Sequence, residues 1–154
     1  MRKVTNGMAG SALMREVPLA TKLMEETVKA VSVPVTVKMR KGIDDAHLTY
    51  LDAGRIAAEA GVAWVALHAR TAAQLYGGEA DWPAISRLVE ELAPTGVPVL
   101  GNGDIWTGHD AVAMIDQTGC AGVVVGRGCL GRPWLFGQLA QAMNGQPISA
   151  EPDL

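Results

Sequence analysis

The chain has 154 residues, enough for one domain with a real hydrophobic core and too few for two of ordinary size. A hydrophobic share of 49% with few aromatics suits buried parallel strands and close helix–sheet packing, yet no apolar run is long enough to span a bilayer. The formal net charge of −3 argues against gripping nucleic acid by bulk charge while leaving room for a local basic face.

Cys120 and Cys129 form neither a metal-ligand pattern nor a disulfide framework. Met1-Arg2-Lys3-Val4 is basic but leads into no apolar h-region, so it does not read as a signal peptide. The expected compartment is the cytoplasm, with no membrane contact.

In chain order, residues 1–10 read as a glycine-bearing loop, with a short turn near Ser11 to Met14. Pro18 opens a helix to about Val31, with Leu19, Leu23, Met24, Val28 and Val31 at helical spacing. Val33 to Arg40 is the first strand, followed by a polar loop to about Tyr50, a helix to Ala60 and a plausible C′ glycine at Gly61. Val62 to His68 is the second strand, and a long polar loop, Ala69 to Asp81, follows it. The next helix carries Ile85, Leu88, Val89 and Leu92 on one face. Val97 to Gly101 is the third strand, and Gly108 to Gln117 the helix after it. Gly122-Val-Val-Val-Gly126 is the fourth strand, and the last helix runs from Pro133 to Met143. Residues 144–154 read as a polar, frayed tail, so the expected domain is 1–143.

Strand and helix alternate four times, which predicts a parallel α/β sheet with right-handed crossovers. Each unit is about thirty residues, the size obtained by dividing a (β/α)₈ barrel of about 250 residues into eight. The expected fold is a partial TIM barrel, the last four strands with their helices; an open four-stranded sheet is the structural alternative.

The polar chemistry collects where strands end: Lys38-Met39-Arg40-Lys41, His68-Ala69-Arg70-Thr71, Asn102-Gly103-Asp104 and Gly126-Arg127-Gly128. In a parallel sheet these carboxyl ends share one face, the face that binds ligands. Gly126, Gly128 and Gly131 also spell G-x-G-x-x-G. A dinucleotide fingerprint belongs to the first strand of its unit, however, and here it falls on the last. As the end of a barrel series it suits a phosphate loop running into a helix N-terminus, with Arg127 or Arg132 adding a forked contact. A glycine-rich turn that binds nothing is the plain alternative.

Individual residues leave choices open. Lys38 suits a point contact to a phosphate or electron-rich ring, or a snorkelling surface lysine. His68 suits proton or hydrogen-bond work near neutrality, or a structural histidine. His47 and His109 read as surface residues. Asn102, Gly103 and Asp104 also suit a turn in which Asp104 caps the next helix. Trp64 and Trp82 read as packing residues.

The segments Val35-Thr36-Val37-Lys38-Met39-Arg40, His68-Ala69-Arg70-Thr71, Gly101-Asn102-Gly103-Asp104-Ile105, and Val125-Gly126-Arg127-Gly128 through Gly131-Arg132-Pro133-Trp134 resemble, in order and spacing, the bacterial tRNA-dihydrouridine synthases. The resemblance covers about residues 1–143. It implies an FMN-dependent barrel that takes electrons from NADPH and reduces a uridine in tRNA, the target base being swung out of the folded RNA. It implies cofactor contacts at Lys38, His68, Asn102, Gly103, Asp104, Gly126 and Arg127, and substrate contacts at Lys3, Arg40 and Arg70, with no metal. Ala69 departs from the glycine usual in the His-Gly-Arg-Thr run, a small change unless its φ is positive.

Met1-Arg2-Lys3-Val4 aligns with the end of the family's Gly-Cys-Pro-x-x-Lys-Val segment, which would put the proton-donating cysteine two residues before Met1. The chain is therefore expected to lack that donor and to be inactive alone. Two alternatives stay open. One is a non-catalytic phosphate- or flavin-binding half-barrel that pairs with itself or with another chain through strand edges at 33–40 and 122–126. The other is a different FMN or phosphate-sugar barrel.

Overall fold

The computed structural model describes residues 9–153; Lys3, one of the expected substrate contacts, lies outside them. After a 3₁₀ turn at Gly10–Arg15, helix α1 spans Val17–Ala30 with Pro18 in its first turn, where a missing N–H costs no hydrogen bond. The remaining strands are β1 (Thr36–Arg40), β2 (Gly42–Asp44), β3 (His47–Leu48), β4 (Trp64–His68), β5 (Val99–Asn102) and β6 (Gly122–Val124). The remaining helices are α2 (Tyr50–Glu59), α3 (Trp82–Leu92), α4 (Gly108–Thr118) and α5 (Leu135–Met143).

The main sheet is parallel with order β1-β4-β5-β6, which is chain order without reversal. A doubly wound nucleotide fold reverses its strand order at a switch point; this sheet has none. Sequential parallel strands with crossovers of one hand place every helix on one face, as in a barrel wall. The packing agrees: α1 lies against α2, α2 against α3, α3 against α4 and α4 against α5. This is four consecutive βα units in an α/β sheet. The outer edges of β1 and β6 have no strand partner among the described residues.

The core fills the space between sheet and helices. Val65 and Leu67 meet Ile85, Leu88, Leu92 and Met114, all essentially sealed from solvent. Each such side chain contributes about 1.5–3 kcal/mol relative to exposure. The predicted apolar face of α3 is the buried one, with Ile85, Leu88 and Leu92 inside and Val89 at its margin. Asp81 caps that helix by accepting from the Ala84 N–H at 3.2 Å. Gly101 lies under the Met114 and Cys120 sulfurs, where a Cβ would collide, so it admits α4 close to the sheet.

Three expectations change. The loop after β1 contains a hairpin, β2–β3. A Cβ on Gly42 would fall on the His47 carbonyl, so only glycine lets the hairpin close, and Asp44 holds the turn through Ala46 N (3.1 Å) and His47 Nδ1 (2.7 Å). The tail is docked rather than frayed: Gln138 Nε2 donates to Ser149 O at 2.8 Å, Ser149 N donates to Gln141 Oε1, and Arg132 pairs with Glu151. Two glutamines on α5 satisfy tail backbone groups that composition alone assigned to solvent. Finally, α5 begins at Leu135, not Pro133, and a 3₁₀ turn at Arg127–Cys129 intervenes. The glycine loop therefore does not feed directly into a helix N-terminus.

Helix α5 contains an exposed glycine, Gly137, with open space at its Cβ position. Gly137→Ala is expected to raise stability by about 0.5–1 kcal/mol through the lower backbone entropy of the unfolded chain. Urea unfolding of the two proteins checks this; an unchanged or lower midpoint contradicts it.

Candidate functional site

The register assembles the site. Arg40, His68, Asn102 and Val124 are direct neighbours across the four parallel strands. Lys38, Ala66, Leu100 and Gly122 form the row two residues earlier, on the same face by strand alternation. That face is the one turned away from the helices. At its carboxyl end a cleft of about 230 Å³ is lined by Lys38, Arg40, His68, Arg70, Tyr76, the 102–106 segment and the 124–128 segment. All seven expected cofactor-contact residues lie around it.

The cleft is cationic, with Lys38, Arg40, Arg70 and Arg127 set against the single carboxylate of Asp104. This field acts on His68, which is buried. Burial, followed by the charges of Arg40, Lys38 and Arg70, lowers its pKa to about 4 despite the opposing Asp104. His68 is thus a neutral imidazole near pH 7. It offers hydrogen bonds there and does not titrate near neutrality. Lys38 is exposed on β1, and partial burial followed by the Arg40 charge pushes its pKa below the ordinary value, so a nearby anion would favour its charged form.

Asp104 organises the turn after β5. It stands at φ 57°, next to Gly103 at φ 129°. Its Oδ2 accepts from Arg70 Nη2 and from Ala80 N, each at 2.8 Å, and its Oδ1 is 3.7 Å from Arg127 Nη2. Burial alone would raise its pKa, but the Ala80 N–H, Arg70 and Arg127 together lower it. Asp104 does not cap the next helix; Thr107 and Asp110 form a reciprocal capping box on α4. Trp82 Nε1 donates to Gly103 O at 3.1 Å, fixing the same turn. Asn102 Nδ2 donates to Val124 O at 2.6 Å, which leaves the amide oxygen as its acceptor.

Two of the expected substrate contacts, Arg40 and Arg70, line the cleft and also hold the loop beside it. Arg70 is 2% exposed, with donors on Gly77 O, Gly78 O and Asp104. Arg40 Nη1 donates to Thr71 O at 2.9 Å and to Leu75 O at 3.0 Å. Both brace the 71–78 loop from below, because that loop's carbonyls turn inward and require donors. Lys41 is likewise buried and pairs with Asp81 at 3.1 Å, and Arg132 donates to Trp106 O at 2.9 Å. Of the basic residues at the strand ends, Lys38 and Arg127 are the ones that bring charge to the cleft without such a backbone bond. Ala69 is buried and is absent from the positive-φ positions, so alanine serves there as well as glycine.

Tyr76 and Trp106 were not singled out by sequence. Arg127 lies over both rings, with its guanidinium carbon 4.7 Å from the Tyr76 centroid and 5.4 Å from that of Trp106. Cys120 is buried before β6, its Sγ against Gly122 O, and Cys129 Sγ contacts Gly126 O. Neither lines the cleft. No cluster of metal-binding residues and no helix long and apolar enough to cross a membrane occurs among the described residues.

The depressed His68 pKa has a stability consequence. The unfolded chain protonates this histidine near pH 6.5, the folded chain only near pH 4. Between those values the unfolded state holds more protons, so stability falls as pH drops through that window. The expected loss is ~2 kcal/mol after allowance for solvent screening. Urea midpoints at pH 7 and pH 4.5 check it: His68→Gln should flatten the difference, and an unchanged pH slope in that variant refutes the assignment.

A sequential parallel βα sheet whose carboxyl end forms a cationic, glycine-bordered cleft places the chain in the α/β class, consistent with part of a barrel. The family model for dihydrouridine synthase matches residues 1–153, and the chain belongs to that family. It is 54% identical to a probable tRNA-dihydrouridine synthase of Mycobacterium leprae over 157 residues, covering 100% of this chain and 40% of the relative. A protein of the same name from Mycobacterium tuberculosis strain H37Rv is 54% identical over 99% of this chain and 39% of its own length. One from Rhizobium leguminosarum is 46% identical over 92% of this chain and 44% of its own length. The chain thus spans about 40% of the length of the mycobacterial relatives it matches.

Proposed function

We infer that this chain forms the flavin-phosphate side of a tRNA-dihydrouridine synthase site, with FMN as cofactor, NADPH as reductant and a tRNA uridine as substrate. The observation that carries the reading is the cleft itself: four cations, a neutral histidine and a glycine-bordered turn at the carboxyl ends of four parallel strands. Family membership and the relatives' names support the substrate class.

The donor set suits FMN. Arg127 and the backbone of the 126–128 turn would take the phosphate. Lys38, beside Arg40 at the mouth of the cleft, would direct a donor to an electron-rich ring. His68 and the Asn102 amide oxygen would hold ring polar atoms without adding charge. When bound, FMN would supply the hydride chemistry that reduces the uridine C5–C6 bond, its electrons coming from NADPH. Neither cysteine lines the cleft, so no described residue is assigned as proton donor to the uracil ring.

Flavin absorbance of the purified chain, and fluorescence titration with FMN, test the reading. Arg127→Ala is expected to weaken FMN binding about tenfold, the value of one charge-assisted contact. An unchanged affinity removes Arg127 from the phosphate role, and a chain that binds no flavin removes FMN from the cleft.

A further inference from the structure

Two exposed aromatic side chains stand at the rim of the cleft without a core to explain them. Tyr76 is 58% exposed and Trp106 is 43% exposed, yet both rings lie against the Arg127 guanidinium. Each is held from behind. The loop that carries Tyr76 is anchored by Arg40 through Thr71 O and Leu75 O and by Arg70 through Gly77 O and Gly78 O. Leu75 is kept at φ 52°, a conformation that costs a leucine energy and persists only where surrounding contacts impose it. Trp106 is fixed differently: Gly128 packs against the Ile105 carbonyl and the Trp106 Cα, and Arg132 donates to Trp106 O.

We propose that Tyr76 and Trp106 form an aromatic seat that fixes Arg127 to receive a phosphate monoester, which makes them positioning residues selecting a phosphorylated over an unphosphorylated ligand. The proposal rests on the flavin reading of the cleft. A guanidinium resting against aromatic rings has its faces occupied and its planar N–H edge left free, where two phosphate oxygens can meet it. An unsupported arginine loses rotamer entropy when it engages an anion; one already seated loses less. The Asp104 carboxylate at 3.7 Å steadies one side of the fork without closing on it at full hydrogen-bond distance. The two arginines under the Tyr76 loop then act through it, since their hydrogen bonds set where the ring stands.

Fluorescence titrations of the 154-residue chain with FMN and with riboflavin decide the matter. Tyr76→Leu and Trp106→Leu are expected to weaken FMN binding about three- to tenfold while riboflavin affinity stays unchanged. Tyr76→Phe, which keeps the ring, is expected to follow the wild type for both ligands. Equal losses for FMN and riboflavin, as a ring-stacking or purely structural role would give, overturn the seat. So does an unchanged FMN affinity in both leucine variants. A wild-type chain that binds neither flavin overturns the flavin reading and the seat with it.

Discussion

Replacing Arg70 with alanine is expected to lower the unfolding free energy by about 3 kcal/mol, the cost of removing one partner from a buried ion pair. Arg70 is 2% exposed, and its side chain serves three acceptors: Gly77 O at 3.1 Å, Gly78 O at 2.6 Å and Asp104 Oδ2 at 2.8 Å. Alanine leaves two loop carbonyls and one carboxylate oxygen short of a donor, and it opens a cavity beneath the loop. Asp104 keeps the Ala80 N–H and the more distant Arg127, which holds the expected loss to the lower end of the range for buried pairs. Arg70→Lys should recover little, because a single ammonium cannot reproduce the planar fork. Urea unfolding measures the stability, and limited proteolysis between Gln74 and Gly78 reports the loop. A loss under about 1 kcal/mol, with the loop still protected, shows that Arg70 is not the brace described here.

The same arginine shows where sequence reading succeeds and where it stops. The order of strands and helices follows from hydrophobic runs and glycine positions. Ile85, Leu88 and Leu92 identified the buried face of α3 by spacing alone, and each is sealed from solvent. The gathering of Lys38, His68, Asn102 and Arg127 follows from a single rule, that parallel strands end on the same side. What a charged residue does there does not follow. Arg40, Lys41, Arg70 and Arg132 all stand where a ligand contact is plausible, yet their partners are the carbonyls and carboxylates of loops. Those loops have no periodicity from which their path can be read. Residues 69–81 read only as a long polar loop, although Arg40 and Arg70 dictate its course and carry Tyr76 to Arg127. The pKa of His68 was hidden for a related reason: its ordinary value suits proton transfer near neutrality, but burial and three neighbouring cations act only once the chain folds.

Gly128→Ala is expected to be more damaging than alanine at either of the other two glycines of the G-x-G-x-x-G run. The G-x-G-x-x-G pattern treats its three glycines alike, but their surroundings differ. An added Cβ at Gly126 or Gly131 meets nothing within 4 Å, although Gly131 stands at φ 71°, which costs a side chain some backbone strain. At Gly128 it would fall on the Ile105 carbonyl oxygen, with the Trp106 Cα also in contact. Both obstacles are backbone atoms, so no rotamer change relieves the clash, unlike that at Gly101, where the Met114 side chain can move. The Arg127–Cys129 turn must then lift away from the 105–106 segment. Overpacking of this kind costs about 1–3 kcal/mol, and a rigid obstacle puts Gly128→Ala at the upper end. The larger consequence is for ligand binding, because the turn carries Arg127 and the backbone N–H groups assigned to the phosphate. Lifting the turn displaces the Arg127 fork and the backbone donors together, so the expected loss of FMN affinity exceeds the about tenfold expected for removal of the Arg127 side chain alone. FMN titration beside urea unfolding separates the two effects, with Gly137→Ala as the control for adding a methyl group where space is open. If Gly128→Ala binds FMN as well as Arg127→Ala does, the phosphate is not held by the 126–128 backbone, and the turn is only a support for Arg127.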